Sequence, residues 1–214
     1  MKNLILVGGG GHCKSVIDVA ESAGYTILGV LDLPSEVGKK VLDYEVIGVD
    51  DDIPNYVDKA EFIITVGQIK DALLREKLHD KIVSAGGRLA TIVASTAYVS
   101  KYAVLGRGTV VMHKAFVNAE VVIKESCIIN TFANIEHSAE IGSFTHISTG
   151  AMVNGDCKVG SHVFLGSQSV MLNGTSIGDN NVIAAGSFVR KSIKKSGIHA
   201  GNPARLMKAF KSHE

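Results

Sequence analysis

The chain has 214 residues, 46% of them hydrophobic and 20% charged, enough for one large domain or two small ones that fold without help. A formal net charge of +1 gives no global pull toward nucleic acid or an anionic membrane, and no apolar run reaches the roughly 18 residues that span a bilayer. The opening Met1-Lys2-Asn3-Leu4 lacks the apolar stretch of a signal peptide, and the three widely spaced cysteines, Cys13, Cys127 and Cys157, read as reduced thiols, so a cytoplasmic protein without nucleic-acid or membrane partners is expected.

Residues 1–88 read as an α/β unit. Leu4-Ile5-Leu6-Val7 is a short apolar strand, followed by the turn Gly8-Gly9-Gly10-Gly11-His12. Cys13 to Ala23 has helical spacing with Val16, Ile17, Val19 and Ala20 on one face. Tyr25 to Leu31 is a second strand ending at Asp32, Phe62 to Val66 a third ending at Gly67, and Ala72 to Ser84 a second helix. Strand, helix and strand in this order predict a small Rossmann-like parallel sheet. The glycine turn suits a phosphate-bearing ligand, because backbone N–H groups gather at a helix start. A dinucleotide fingerprint wants a third glycine where Cys13 stands. A plain linking turn is the alternative without a ligand.

From residue 93 the pattern changes. An aliphatic residue recurs every sixth position from Val93 through Val99, Leu105 and Val111 to Val189, seventeen times in phase. A mostly small residue follows each by four positions, as at Ala97, Ala103, Thr109 and Ala115. Six steps of about 100° scatter residues over three faces of an α-helix, so the repeat is not helical. Six is a multiple of the strand period of two, so each hexad fits one short strand and a corner. Three hexads close a coil of 18 residues, and coils stack about 4.8 Å apart. Strands of a β-sandwich vary in length and would not hold phase this long. Residues 89–203 are therefore expected to form an all-β parallel helix, and residues 204–214 a short C-terminal helix capping it.

These hexads resemble those of the left-handed parallel β-helix acyltransferases. Together with Val7-Gly-Gly-Gly-Gly-His-Cys-Lys-Ser-Val-Ile-Asp-Val-Ala20 they resemble the bacterial sugar acetyltransferases typified by sialic acid O-acetyltransferases and the UDP-4-amino-sugar N-acetyltransferases of bacillosamine synthesis. The resemblance implies a homotrimer that binds acetyl-CoA in a groove between prisms and a nucleotide-sugar on the first domain. It places Gly10, Gly11 and His12 at the diphosphate, with Lys14 assisting, Asp32 at the base or ribose, and Gly67 nearby.

Acetyl transfer from a thioester needs a base, a donor for the tetrahedral oxyanion and a groove for CoA. It needs no metal, and no metal-ligand spacing or Gly-x-Ser-x-Gly elbow is present. His137 lies two residues past inward-facing Ile135, at an outward corner, with Ala119 and Gly155 one coil away to leave it space. The stretch from Asn130 to His146 resembles the family's active-site segment. That resemblance makes His137 the general base, puts Asn130 near the reacting groups, and sets His146 against acetyl-CoA, with backbone contacts from Ser167 and Ala185. The bacillosamine-pathway enzymes carry an acid directly after the base, where this chain has Ser138. Arg190, Lys191, Lys194, Lys195 and Arg205 offer charge for CoA phosphates or simply a solvated end. The leading expectation is N-acetylation of a nucleotide-linked amino sugar. O-acetylation of sialic acid or a related nonulosonate is its rival. A non-catalytic β-helix scaffold and a nicotinamide-dependent oxidoreductase are more remote alternatives.

Overall fold

The computed structural model describes residues 2–210. The apolar run at the start becomes β1 (Asn3–Val7), with Leu4 to Val7 fully buried, as a strand covered on both faces must be. The helix α1 (Gly11–Ser22) follows and buries Cys13, Val16, Ile17, Val19 and Ala20. Next come β2 (Thr26–Leu31), the short β3 (Lys40–Val41), β4 (Tyr44–Gly48), β5 (Glu61–Ile64) and α2 (Leu73–Ser84). The sheet order is β3-β4-β2-β1-β5, parallel except for the β3–β4 hairpin. The sequence reading missed this hairpin, whose first strand is only two residues long. The sheet reverses its winding between β1 and β5, and such a switch point opens a crevice at the carboxyl ends of the strands. Residues 88–90 then pair with Phe62 at the edge of β5.

From Ile92 two-residue strands recur every six residues and stack in three parallel sheets. The first face carries the strands opening at Ile92, Val110, Ile128, His146 and Phe164, then Asn181–Ile183. The second opens at Tyr98, Phe116, Asn134, Met152, Val170 and Phe188, and the third at Val104, Val122, Glu140, Lys158 and Ser176. Each residue pairs with the one 18 positions on, as in Phe116 with Asn134. The sixth-residue aliphatics fill the interior, with Val117, Ile129, Ile135 and Leu165 fully buried. The small residues line the inner corners, where the Cys127 and Cys157 thiols donate to the carbonyls of Gly142 and Leu172, both at 3.1 Å.

The corners themselves obey a rule that composition did not show. Lys114, Glu120, Ser126, Phe132, Ser138 and Phe144 succeed one another at intervals of six, all with φ between 53° and 62°. Gly108, Gly150, Gly174 and Gly186 continue the same phase. This left-handed backbone costs a residue with a side chain roughly 1–2 kcal/mol. In return it turns the corner N–H along the axis. Ser126 donates to Arg107 O at 2.9 Å, Ser138 to Ala119 O at 3.1 Å and His162 to Ser143 O at 3.0 Å. The result is a left-handed parallel β-helix.

The end of the chain corrects one expectation. Residues Gly197–Ala200 extend the first face, and Arg205–Ala209 fold back on them as an antiparallel strand, where a helix over 204–214 was expected. Residues 205–209 are exposed throughout, so they offer no apolar stripe for a helix to bury. The last coil presents an open sheet edge, and a hairpin strand satisfies it. Residues 211–214, including His213, lie outside the described residues.

The N-terminal domain packs on the first face. Outward-pointing Ile92, Val110 and Ile128 are fully buried against Cys13, Val16, Ile17 and Ala20. Arg75 of α2 fastens the junction. It is 1% exposed and donates to Ile64 O at 3.0 Å, Val66 O at 2.6 Å and Ser126 O at 3.0 Å. His79, one turn on, meets the Ser126 hydroxyl at 2.8 Å. Arg75→Ala would strand two buried carbonyls and one part-buried one, and a loss of about 3 kcal/mol is expected. Chemical denaturation should show it, with the two domains separating into distinct transitions.

Candidate active site

The crevice between β1 and β5 collects the first group of expected residues. Gly8 has φ 104°, and Val66 fills the space where its side chain would go, so the fold itself demands that glycine. Gly10 and Gly11 differ. Neither has positive φ, and nothing lies within 4 Å of the place a Cβ would take. They open the first turn of α1 to anything that approaches. Gly67 lies 3.6 Å, by its would-be Cβ, from His12 Cβ, so the two loops meet there. Asp32, at the end of β2, is half-buried beside Gly9. Lys14 is exposed on α1. The His12 ring is largely enclosed, and its Nε2 is buried without a partner. Burial, then the Arg75 charge, then His146 depress its pKa to about 3. In this enclosure the His12 ring is therefore held neutral.

His146 continues the outward column of the first face, one coil after Ile128, and is 7% exposed. Its ring stands edge-on to Phe164 with centroids 5.2 Å apart, and 6.4 Å from the His12 ring. Nδ1 lies 2.9 Å from the backbone oxygen of Gln68 and Nε2 3.0 Å from Asn130 Nδ2. Burial lowers its pKa to about 4. Asn130 is held in turn by the Thr131 N–H, which donates to Oδ1 at 2.7 Å. Further along the corner between the first and second faces, the Ser148 and Ser167 hydroxyls lie 3.0 Å apart, and Ala185 is exposed one coil later. From Asn130 to Ala185 this edge runs three coils, roughly 14 Å at the strand spacing.

His137 occupies the opposite edge of the second face, at the corner leading to the third. It is exposed, and its ring lies over Gly155. A Cβ on Gly155 would come within 2.6 Å of Cε1 and Nε2. The glycine one coil away thus supplies the space that the sequence suggested. Ser138 has the left-handed corner conformation, and its hydroxyl donates to Glu120 Oε2 at 3.3 Å. Glu136 was weighed only as a surface group in the sequence. It accepts from Asn118 Nδ2 at 2.6 Å and Asn134 Nδ2 at 3.0 Å. These bonds, and then the neighbouring His137, hold its carboxyl below the usual range.

Arg190, Lys191, Pro203, Ala204 and Arg205 line a cavity of about 410 Å³ at the C-terminal end of the helix. Lys191 stands in the same column as His137, three coils on. Among the described residues no group of three or more His, Cys, Asp or Glu is placed to hold a metal ion. No described helix is long and apolar enough to cross a membrane. Sequence reasoning missed Gln68 and Arg75. Gln68 acts at His146 through its backbone, and a buried arginine without an acidic partner leaves no pattern in the chain.

Two neutral, buried histidines make stability depend on acidity. His12 and His146 have folded pKa values of about 3 and about 4 against 6.5 for the free side chain. On acidification the unfolded chain takes up these protons first, so stability is fully present above pH 6.5 and falls as pH drops toward 4. Each ring contributes a slope of up to roughly 1.4 kcal/mol per pH unit. Denaturant titrations from pH 7 to 4.5 should show this slope, reduced in His12→Gln.

The PglD N-terminal domain model matches residues 3–82 and the bacterial transferase hexapeptide model residues 156–191. The acetyltransferase domain of PglB from Neisseria gonorrhoeae superposes with a TM-score of 0.89 at 28% identity, covering 97% of this chain and 100% of that one. PerB from Caulobacter crescentus, in complex with CoA and GDP-perosamine, gives 0.89 at 29% identity, covering 96% and 97%. Galactoside O-acetyltransferase of Escherichia coli is 39% identical over 56 residues, 26% of this chain and 28% of the relative. The chain spans only a fifth to a third of the length of the curated relatives it matches. The chain thus carries a PglD-type N-terminal domain followed by bacterial transferase hexapeptide coils, and over nearly its whole length it is similar to the hexapeptide-repeat sugar acetyltransferases PglB and PerB.

Proposed function

We propose that this chain transfers the acetyl group of acetyl-CoA to the amine of a nucleotide-linked amino sugar, with His137 as general base. The observation that carries the reading is the exposed His137 ring laid over Gly155 at a prism corner. Gly10 and Gly11 support it, since the fold does not require glycine at either position and a ligand approaching the helix start does. The PerB complex, with CoA and GDP-perosamine bound together, favours an amino sugar over sialic acid as acceptor. In this scheme the sugar amine attacks the thioester carbonyl and His137 takes its proton. The tetrahedral intermediate then collapses and expels the thiolate of CoA. Neutral His12 offers a hydrogen bond in the substrate crevice, while Arg190, Lys191 and Arg205 face the phosphates of CoA. Three buried, unbridged thiols suit the reducing cytoplasm.

The reading includes a homotrimer. His137 and the Asn130–His146 pair sit at opposite edges of the second face, about five residues of extended chain or roughly 16 Å apart. One acetyl group cannot reach both within a chain. A threefold arrangement would set one subunit's His137 corner against the next subunit's Asn130 corner. The second face carries exposed apolar side chains suited to that contact, including Tyr98 at 56%, Met152 at 39% and Phe132, at its edge, at 63%. Light scattering is expected to give three times the 22.6 kDa chain mass, and a stable monomer at micromolar concentration would sink the shared site.

Thiol release from acetyl-CoA with UDP- and GDP-linked 4-amino sugars, beside sialic acid, tests the acceptor class. His137→Ala should cut turnover by about 100- to 10,000-fold with folding and CoA binding retained. Near-normal turnover at saturating substrates would remove His137 as base. Gly155→Ala is the finer probe. Its backbone is unstrained, so stability should change by less than about 1 kcal/mol. The methyl must push the ring aside, and turnover should fall about 100-fold.

A further inference from the structure

Arg75 carries a charge that its own surroundings do not answer. The side chain is 1% exposed, enclosed by β5, α2 and the corner at Ser126 of its own chain. Its three hydrogen bonds all end on neutral acceptors, the carbonyls of Ile64, Val66 and Ser126, and its Nε–H is buried without a partner. Among the described residues no carboxylate forms an ion pair with it. The acids beside it in sequence and space turn elsewhere. Glu76, next to it on α2, reaches His162 at 3.6 Å, and Glu125, next to Ser126, reaches Arg107 at 3.3 Å. Taking a charge out of water without a counter-ion is costly. Binding carbonyls does not require that charge, since a neutral amide N–H donates as well.

The cation lies under the substrate crevice. Val66, whose carbonyl it binds at 2.6 Å, packs against Gly8, and the next residue, Gly67, meets His12. By standard backbone dimensions the guanidinium is within about 10 Å of His12. The ring feels it, because the Arg75 charge is the second cause, after burial, of its neutrality. Arg75 is the only buried lysine or arginine among the described residues, and Lys14, the other cation near the glycine turn, is exposed.

We propose that Arg75 is the fixed counter-charge of the acceptor site: without touching the ligand, it holds a standing positive potential at the turn Gly8–His12, which the diphosphate of a nucleotide-sugar neutralises. The inference rests on the nucleotide-sugar reading above and adds the source of the attraction. The tasks then divide. Backbone N–H groups at Gly10 and Gly11 orient the phosphates, the exposed Lys14 adds an attraction that salt screens, and Arg75 adds one that salt screens little. A side chain already fixed by three bonds loses no rotamer freedom when the ligand arrives.

Calorimetry on the full-length protein with UDP and GDP, and with uridine and guanosine as their uncharged counterparts, separates charge from shape. Arg75→Met removes the charge, and Arg75→Lys keeps it while losing the planar fork. Both are measured at a temperature where circular dichroism shows them folded. For the nucleotide that the wild type binds better, Arg75→Met should weaken the diphosphate about tenfold or more, the effect of a unit charge roughly 10 Å away at an effective dielectric of about 20. The matching nucleoside, and acetyl-CoA, should change less than about threefold, and Arg75→Lys should restore the diphosphate to within about threefold of wild type. Equal losses for nucleotide and nucleoside, or a lysine no better than methionine, would make Arg75 a structural clasp alone and overturn the proposal. The wild type gives a second test that no folding defect obscures. Its preference for the diphosphate over the nucleoside should fall less than about threefold between about 50 and 500 mM salt. A preference abolished by salt would place the attracting charge on exposed lysines and overturn the proposal as well. Failure of the wild type to bind either nucleotide overturns the nucleotide-sugar reading itself, whereas wild-type binding with the wrong response to Arg75→Met and Arg75→Lys overturns the counter-charge alone.

Discussion

The left-handed corner residue governs the rest of this molecule. From Gly108 to Gly186 the hexads turn their backbone through positive φ, and most of these corner N–H groups donate to the coil before, as Ser138 does to Ala119. Without that bond the corner would carry an unmet donor on every turn. With it, the coil length is fixed at 18 residues and the column becomes the unit of design. Whatever stands at one position sits one strand spacing from the residues 18 before and after it. A side chain can therefore be given room only by what its column neighbours lack. Gly155 makes room for His137 in this way, and Ile92, Val110 and Ile128 form the apolar strip on which the first domain rests.

That strip explains where the two domains meet. Three coils of aliphatic residues bury against α1, and the fourth position of the same column is His146. The column turns polar at the rim of the domain contact, where the substrate crevice opens. Arg75 holds the same rim by binding carbonyls of both β5 and the corner at Ser126. Its charge has no acid beside it, and burial lowers its pKa only to about 10, so it stays a cation at neutral pH. It also helps keep His12 and His146 uncharged, since a second positive charge in that enclosure would be costly. One buried arginine thus closes the domain junction and adds to the burial that keeps two nearby rings uncharged.

Much of this was legible in the chain because a period of six has few physical solutions. The inward aliphatics from Val93 to Val189, the small corner residues and the outward position of His137 follow from phase alone. The first helix and strands were legible from their apolar runs to within a residue or two. Four things were not. The first strand of the β3–β4 hairpin is only two residues long, too short to show a period, so its pairing depends on the neighbouring β4 and β2. The strand at Arg205–Ala209 depends on an open sheet edge made by distant residues, and its own composition gives no strand signal. The corner rule was hidden because Lys114, Phe132, Phe144 and Ser138 are not residues that favour positive φ. The coil bonds impose it on them. Gln68 was invisible for a related reason, since any residue there would offer the same carbonyl.

The absence of an acid directly after His137 can now be set against the geometry. Ser138 lies in the corner conformation, and its hydroxyl reaches back to Glu120 in the preceding coil. The His137 ring lies the other way, over Gly155 in the following coil. The two side chains diverge along the axis, so Ser138 does not take the place of a carboxylate at the ring. Glu136 is better placed to be felt there. Asn118 and Asn134 grip both of its oxygens and keep it ionised, and His137 is among the groups that stabilise its charge. We propose that, with a serine at the corner, the carboxylate serving His137 in the proposed reaction is Glu136, fixed by two carboxamides, one of them from the coil below.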